Sequence, residues 1–297
     1  MKFIGIFLVF LCTFGGFVMA AHFNMPLIMG VLNSMVIPAL PGEMVIIFGI
    51  AVSAFIIANT PEQVKFTLKS MRALKQPLAH DKDDYLQMLG LLYSIFKLAR
   101  TKGWLAMEQH IENPKDSDLF NQFPKFAKNH EAVLFVCDYL RIISLGNENP
   151  HELEALMDLE IETIEHHHSQ PGHAVQTLAD GLPALGIVAA VLGVIKTMAS
   201  ISEPPEVLGK LIGAALTGTF LGVWLGYAFI APIASAILGR AESEVMYYKC
   251  IKVGILAYLQ GAAPQVAIEF ARKLLPHDVQ PEFLELEDYV NNLPSPL

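Results

Sequence analysis

Charge is scarce in this chain. Asp, Glu, Lys and Arg make up 16% of its 297 residues, against 53% hydrophobic ones, and mean hydropathy is +0.44. These values exclude an ordinary soluble domain and suit a membrane protein. Four long apolar stretches, near Phe3–Ala21, Met44–Asn59, Leu182–Ile195 and Leu211–Gly239, have no acid or base near their middles. Charged side chains at mid-bilayer are costly and usually mark ion or proton relays. Kinked, small-residue helices without such a group point to an ionisable group supplied by a partner. Cysteine is sparse too. Cys12, Cys137 and Cys250 are scattered, which excludes a disulfide or metal framework. No Walker motif, catalytic triad or dinucleotide fingerprint is present, and most glycines lie inside apolar stretches, away from any phosphate-cradling loop. The chain does not read as an enzyme, and no cofactor is expected.

The predicted fold class is an all-α integral membrane protein with four transmembrane helices and a large helical cytoplasmic domain. Crossing the hydrocarbon core takes roughly 20 apolar residues. The fourth stretch is long enough, while the second and third need their weakly polar flanks. The predicted divisions are 1–59 and 173–239 for the paired spans, and 60–172 and 240–297 for the polar blocks. Those blocks hold nearly all the Lys and Arg, whereas the link His22–Gly42 has none. The positive-inside rule places both blocks in the cytoplasm, with Lys2 beside them. The net charge of −9 argues against nucleic acid as a partner. Val18-Met19-Ala20 imitates a signal-peptide cleavage site, but the apolar run before it exceeds the usual h-region of about 7–15 residues. The segment is read as a retained helix.

Block 60–172 is helical by pattern. Tyr85–Arg100 has a broad apolar face and ends in Arg100, Lys102 and Gly103, a helix C-terminus. Asn113-Pro114 and Phe123-Pro124 are breaks. Glu152–Glu165 is the clearest amphipathic stretch, with Leu153, Met157, Ile161 and Ile164 on one face and Glu154, Asp158, Glu162 and Glu165 on a neighbouring one. That acidic stripe is either a solvated face or a surface for a basic partner. Arg100 and Glu108 would share a flank of a continuous helix, which Gly103 argues against. By spacing alone, Arg100 satisfies a helix C-terminus and Glu108 is a surface acid; the other reading is that both steer a protein partner. The run Glu165–His173, with three adjacent histidines, is expected to be a loop at the membrane entry and not a metal site.

In the third span, Pro183 is either a kink or a first-turn proline, and Asp180 caps the helix or reaches water. The fourth span repeats Ala214, Gly218, Gly222 and Gly226 every four residues, a spacing that lets helices approach closely. Thr217, Thr219 and Tyr227 add hydroxyls that either bond their own backbone or hold water. Pro232 kinks the inner end. Glu43, beside Pro41, is expected at the outer N-terminus of the second span, as an interfacial acid or as a gatherer of cations at a pore entrance.

The sequence resembles the flagellar motor stator proteins of the MotA family over nearly its whole length. The resemblance is carried by Pro41-Gly42-Glu43-Met44-Val45-Ile46-Ile47, Glu112-Asn113-Pro114, Glu154–Asp158, Leu182–Ala190, Gly218–Gly222 and the tail Gly261–Lys273. It implies a homo-oligomer, a pentamer, around the single-span partner MotB. MotB supplies a membrane aspartate and a peptidoglycan anchor. It further implies placement in the bacterial inner membrane among lipid, and torque exerted on the rotor protein FliG. By motif position, Arg100 and Glu108 match the rotor-contacting pair, Pro183 and Pro232 the two coupling prolines, and Thr219 a pore-facing threonine. Ala190 stands where sodium-driven relatives carry threonine, which implies protons as the coupling ion. Trp104 and His166–His168 are not family signatures, and the link before Glu43 is longer than in some relatives. Within the wider class, an ExbB/TolQ-like energiser of outer-membrane processes is the alternative; its three-span layout fits less well. A secondary transporter would show internal repeats, and none is seen. A membrane scaffold without conduction is separated only by measuring flux.

Overall fold

The computed structural model describes residues 2–75 and 80–294, so residues 76–79 of block 60–172 and 295–297 of the tail lie outside it. The helices, in chain order, are α1 (Lys2–Ala20), α2 (Met25–Ala58), α3 (Pro61–Ala73), α4 (Lys82–Lys102), α5 (Glu108–Glu112), α6 (Asp118–Asn121) and α7 (Pro124–Lys128). There follow α8 (His130–Ser144), α9 (Pro150–Met198), α10 (Pro205–Leu259), α11 (Pro264–Lys273) and α12 (Phe283–Asn291). Among the described residues no strand is present. Three helices, α2, α9 and α10, are long and apolar enough to cross a membrane, and α1 is apolar but shorter.

Two compact units result: Met1–Gln76 with Ser169–Gly239, and Pro77–His168 with Arg240–Leu297. Helices α9 and α10 supply residues to both. In the first unit, α3 begins at a capping box in which Thr60 and Gln63 exchange side-chain bonds to backbone N–H groups. Its Met71, together with Leu74, packs on Val175, Ala234 and Ile237. Helix α1 is tied down by aromatic rings. Phe10 meets Trp224 edge-on at 5.2 Å, and the indole N–H of Trp224 donates to Thr13 Oγ1 at 3.0 Å.

Proline explains the most irregular backbone. A proline ring collides with the carbonyl four residues earlier and supplies no N–H. Two widened π turns absorb this, Leu32–Val36 ahead of Pro38 and Pro41, and Gly226–Ile230 ahead of Pro232. The helix therefore runs through Pro41. The expected link His22–Gly42 shrinks to a turn at residues 21–24, and the second apolar helix starts at Met25, not Met44. Pro183 lies deep inside α9, so the first-turn alternative and the capping reading of Asp180 both fall. Asp180 instead accepts a bond from Gln176 Nε2 at 2.9 Å. The run Glu165–His173 is helical as well, with Pro171 inside α9, where a loop was expected. His168 lies 3.7 Å from Glu131.

The second unit has an ordinary apolar core. Leu89, Leu92 and Phe96 of α4 join Tyr247 and Ile251 of α10, Leu140 of α8, and Leu153, Met157 and Ile161 of α9. The amphipathic face read from the sequence is the face that is buried. Its acidic neighbour is partly neutralised within the chain, Asp158 by Lys252 at 2.7 Å and Glu165 by Lys249 at 3.7 Å.

Asp81 caps α4 through Asp84 N–H, and the Lys125 ammonium beside it holds its carboxyl down at about 2. A depressed carboxylate stabilises the fold above its unfolded value and ceases to as pH falls through the folded value. Lys125→Ala is expected to return Asp81 toward the ordinary carboxylate range, moving acid unfolding of this unit to higher pH. Circular dichroism between about pH 5 and pH 2 checks this.

Candidate functional site: a helical seam and an exposed turn

Helices α9 and α10 meet through small residues paired in antiparallel order. A methyl group on Gly193 would lie 2.7 Å from Ala215 Cβ. One on Gly186 would lie 2.8 Å from the Gly218 carbonyl oxygen, and one on Gly222 only 2.6 Å from that of Leu182. Backbones this close exclude any side chain between them. The small-residue stripe is thus spent on packing within one chain, and Ala215, not Ala214, is its buried first member.

Gly226 carries the seam to the two prolines. A methyl there would sit 2.9 Å from the Ala179 carbonyl oxygen and 3.3 Å from Pro183 Cδ. Ala179 is the residue whose carbonyl Pro183 leaves without its helical N–H partner. Gly226 also opens the widened turn that accommodates Pro232. The structure so brings Pro183 against the start of the widened turn that precedes Pro232, at a single glycine. Pro183 is half-buried, whereas Pro232 is exposed and Tyr227 is 60% exposed. The Thr217 hydroxyl bonds back to the Gly213 carbonyl at 3.2 Å; the Thr219 hydroxyl makes no hydrogen bond among the described residues, and Thr219 is half-buried, as is Ala190.

Glu43 is the main departure from the sequence reading. It sits near the midpoint of the 34-residue α2, not at a helix N-terminus. It is only 8% exposed, and its Oε2 atom has no hydrogen-bond partner. The carboxyl lies on Gly218, where any side chain would overlap Oε2 and also meet Ala189 Cβ. At 1.5 Å per residue Ala189 and Gly218 lie roughly 13–20 Å from the Met198 and Pro205 ends of α9 and α10. The chain therefore does carry an acid at mid-helix. Assigning the helix start to Pro41 concealed it.

Arg100 and Glu108 lie in the second unit. Gly103, at φ 80°, ends α4 after Lys102, and a tight turn, Trp104–Met107, leads into α5. The two residues are not on one helix. Both are exposed, and among the described residues neither forms an ion pair. Burial raises the Tyr258 hydroxyl pKa, and the nearby Arg100 charge partly opposes that.

Sequence reasoning missed Gly186 and Ala179 as seam contacts. Their signal was present: Ala179, Gly186 and Gly193 recur every seven residues on α9, in step with the small residues of α10.

Residues 128–249 match the MotA/TolQ/ExbB proton channel family, and residues 3–103 match the motility protein A N-terminal domain. The chain is thus a membrane protein of the proton-channel class. It is 39% identical to motility protein A of Salmonella typhimurium, over 96% of this chain and 92% of that one. It is 40% identical to motility protein A of Escherichia coli, over 86% of this chain and 87% of that one. The chain belongs to the motility protein A family. Its fold matches the flagellar MotAB stator complex from Bacillus subtilis with a TM-score of 0.63 and 25% identity, covering 92% of this chain and 95% of that one.

Proposed function

We propose that this protein is the MotA-type stator subunit of a bacterial flagellar motor, forming with MotB an ion channel that converts proton flux into torque. The carrying observation is the contact of Pro183 with Gly226, which opens the widened turn ahead of Pro232, on helices that also supply the second unit. A carboxylate of MotB binds a proton, which neutralises it, and then releases that proton, which restores its charge. The Pro183/Pro232 region responds, and α9 and α10 carry the change to Arg100 and Glu108, which engage the rotor protein FliG. One elementary charge moved through 100 mV supplies roughly 2.3 kcal/mol, so useful work takes several protons. Copies of the chain, as a pentamer, surround MotB. Ala190 in place of threonine favours protons over sodium, and Thr219 and Tyr227 offer hydroxyls along the path.

We infer four spans in the inner membrane with both polar blocks cytoplasmic. Helix α1, 19 residues long, would reach about 28 Å, close to the roughly 30 Å hydrocarbon thickness. The chain does no catalysis of its own in this scheme.

The test is proton flux into vesicles containing this chain with and without MotB. Flux is expected only with MotB present. Equal conduction by the chain alone would overturn the scheme, a sharp test now that Glu43 supplies an internal acid.

A further inference from the structure

Helix α3 carries charge of one sign on one side. Lys65, Lys69 and Arg72 fall at i, i+4 and i+7, and Lys75 follows the last turn. All four are exposed, and among the described residues none forms an ion pair. Glu62 is the single acid of the helix. The opposite face is occupied: Thr67 is buried, and Met71 packs on Val175, Ala234 and Ile237. The cations therefore point outward, with Leu68, 50% exposed, among them.

A slot of about 320 Å³ ends at the foot of this helix. It is lined by α2 over residues 51–59 and by α9 over residues 174–185. A smaller recess, sharing Asn59 and Ala174, continues it to Gln63 and Phe66 of α3. The polar side chains in the slot are spent on their own helices. Asn59 Nδ2 donates to the Phe55 carbonyl at 2.8 Å, and Thr177 Oγ1 to that of His173 at 3.0 Å. What remains is apolar wall, and exposed Ala54 and Ala58 mark the open side. Gly181 keeps the slot clear, since a methyl there would meet nothing within 4 Å. At 1.5 Å per residue the slot is roughly 12–17 Å long, so its volume leaves a cross-section of roughly 20–25 Å².

We propose that this corner binds an anionic phospholipid of the inner leaflet, its headgroup on Lys65, Lys69 and Arg72 and one acyl chain in the slot. The inference rests on the stator reading only for placing α3 at the cytoplasmic end of α2. Unpaired cations of one sign at that surface attract anionic headgroups, each adding to the affinity. An exposed leucine among such cations suits the boundary between headgroups and chains. The slot takes a narrow, flexible, apolar chain. A helix of a second copy, about 10–12 Å wide with its side chains, does not enter it. The acyl chain lies on α9 between Gly181 and Leu185, which flank Pro183.

The test is native mass spectrometry of the complex of this chain with MotB, equilibrated in detergent with equal amounts of phosphatidylglycerol and phosphatidylcholine. Phosphatidylglycerol is expected to be retained at least about fivefold over phosphatidylcholine. The combined Lys65→Gln, Lys69→Gln and Arg72→Gln variant is expected to lose that preference. Gly181→Leu, which fills open space and removes a helix-interior glycine, is expected to melt no lower than the parent and to lose at least half of the retained lipid. Equal retention of the two lipids by the parent, or an unchanged preference in the triple variant, overturns the proposal. Parental lipid retention by Gly181→Leu overturns the slot as its acyl site. A changed number of copies or of MotB chains in Gly181→Leu would make the slot a contact between proteins and overturn it too. MotB-dependent proton flux alongside equal retention leaves the stator reading standing, whereas the expected lipid preference without such flux supports the lipid site and overturns the stator reading.

Discussion

Gly222→Ala is expected to stop torque generation and to cost the membrane unit about 1–3 kcal/mol, the usual penalty for overpacking a tight site. The added methyl would lie 2.6 Å from the Leu182 carbonyl oxygen and 2.8 Å from Gly186 Cα. Both neighbours are backbone, so no rotamer change relieves the clash and the helices must separate. Separation at Gly222 also pulls Gly226 off the Ala179 carbonyl and Pro183, only one turn away. Gly209→Ala is the control, because nothing lies within 4 Å of a methyl there. Thermal melting in detergent and swimming on soft agar read the two effects. Normal swimming of Gly222→Ala would mean that torque does not need the close contact of Gly226 with Pro183.

The second large effect concerns Glu43 and runs in opposite directions for stability and function. A buried carboxyl oxygen without a donor costs about 1–3 kcal/mol. Glu43→Gln keeps the shape and removes the charge that burial penalises, so the complex is expected to melt at the same or a higher temperature. Proton flux through the complex is expected to fall at least tenfold, because the replacement neither takes up nor releases a proton. Gains in stability with losses in activity mark a functional position. Gly218→Ala, whose methyl would overlap Oε2, is expected to lower flux by displacing the same group. If Glu43→Gln conducted like the parent, the acid would be a packing element only.

Much of the fold is legible in the residue order because its signals are local. Apolar length marked α9 and α10, and period 3.6 marked the face of Leu153, Met157 and Ile161 that the second unit buries. Asn113-Pro114 ends α5 and Phe123-Pro124 starts α7, both breaks their chemistry favours. The proline rule misled at Pro41, where the five-residue widened turn Leu32–Val36 keeps the helix going. That error moved Glu43 from the helix interior to a helix end. Arg100 and Glu108 were placed by resemblance; spacing alone left them ordinary.

Composition and periodicity by themselves determined a helical membrane protein with a polar helical unit, since burial of apolar surface depends on residue type and spacing along one chain. Tertiary structure alone decided which glycines face which backbone, that Pro183 and the Pro232 turn share Gly226, and that Glu43 is enclosed without a partner. Those are properties of distances between segments far apart in sequence, set when whole helices dock at close-packed density, and no local pattern encodes them.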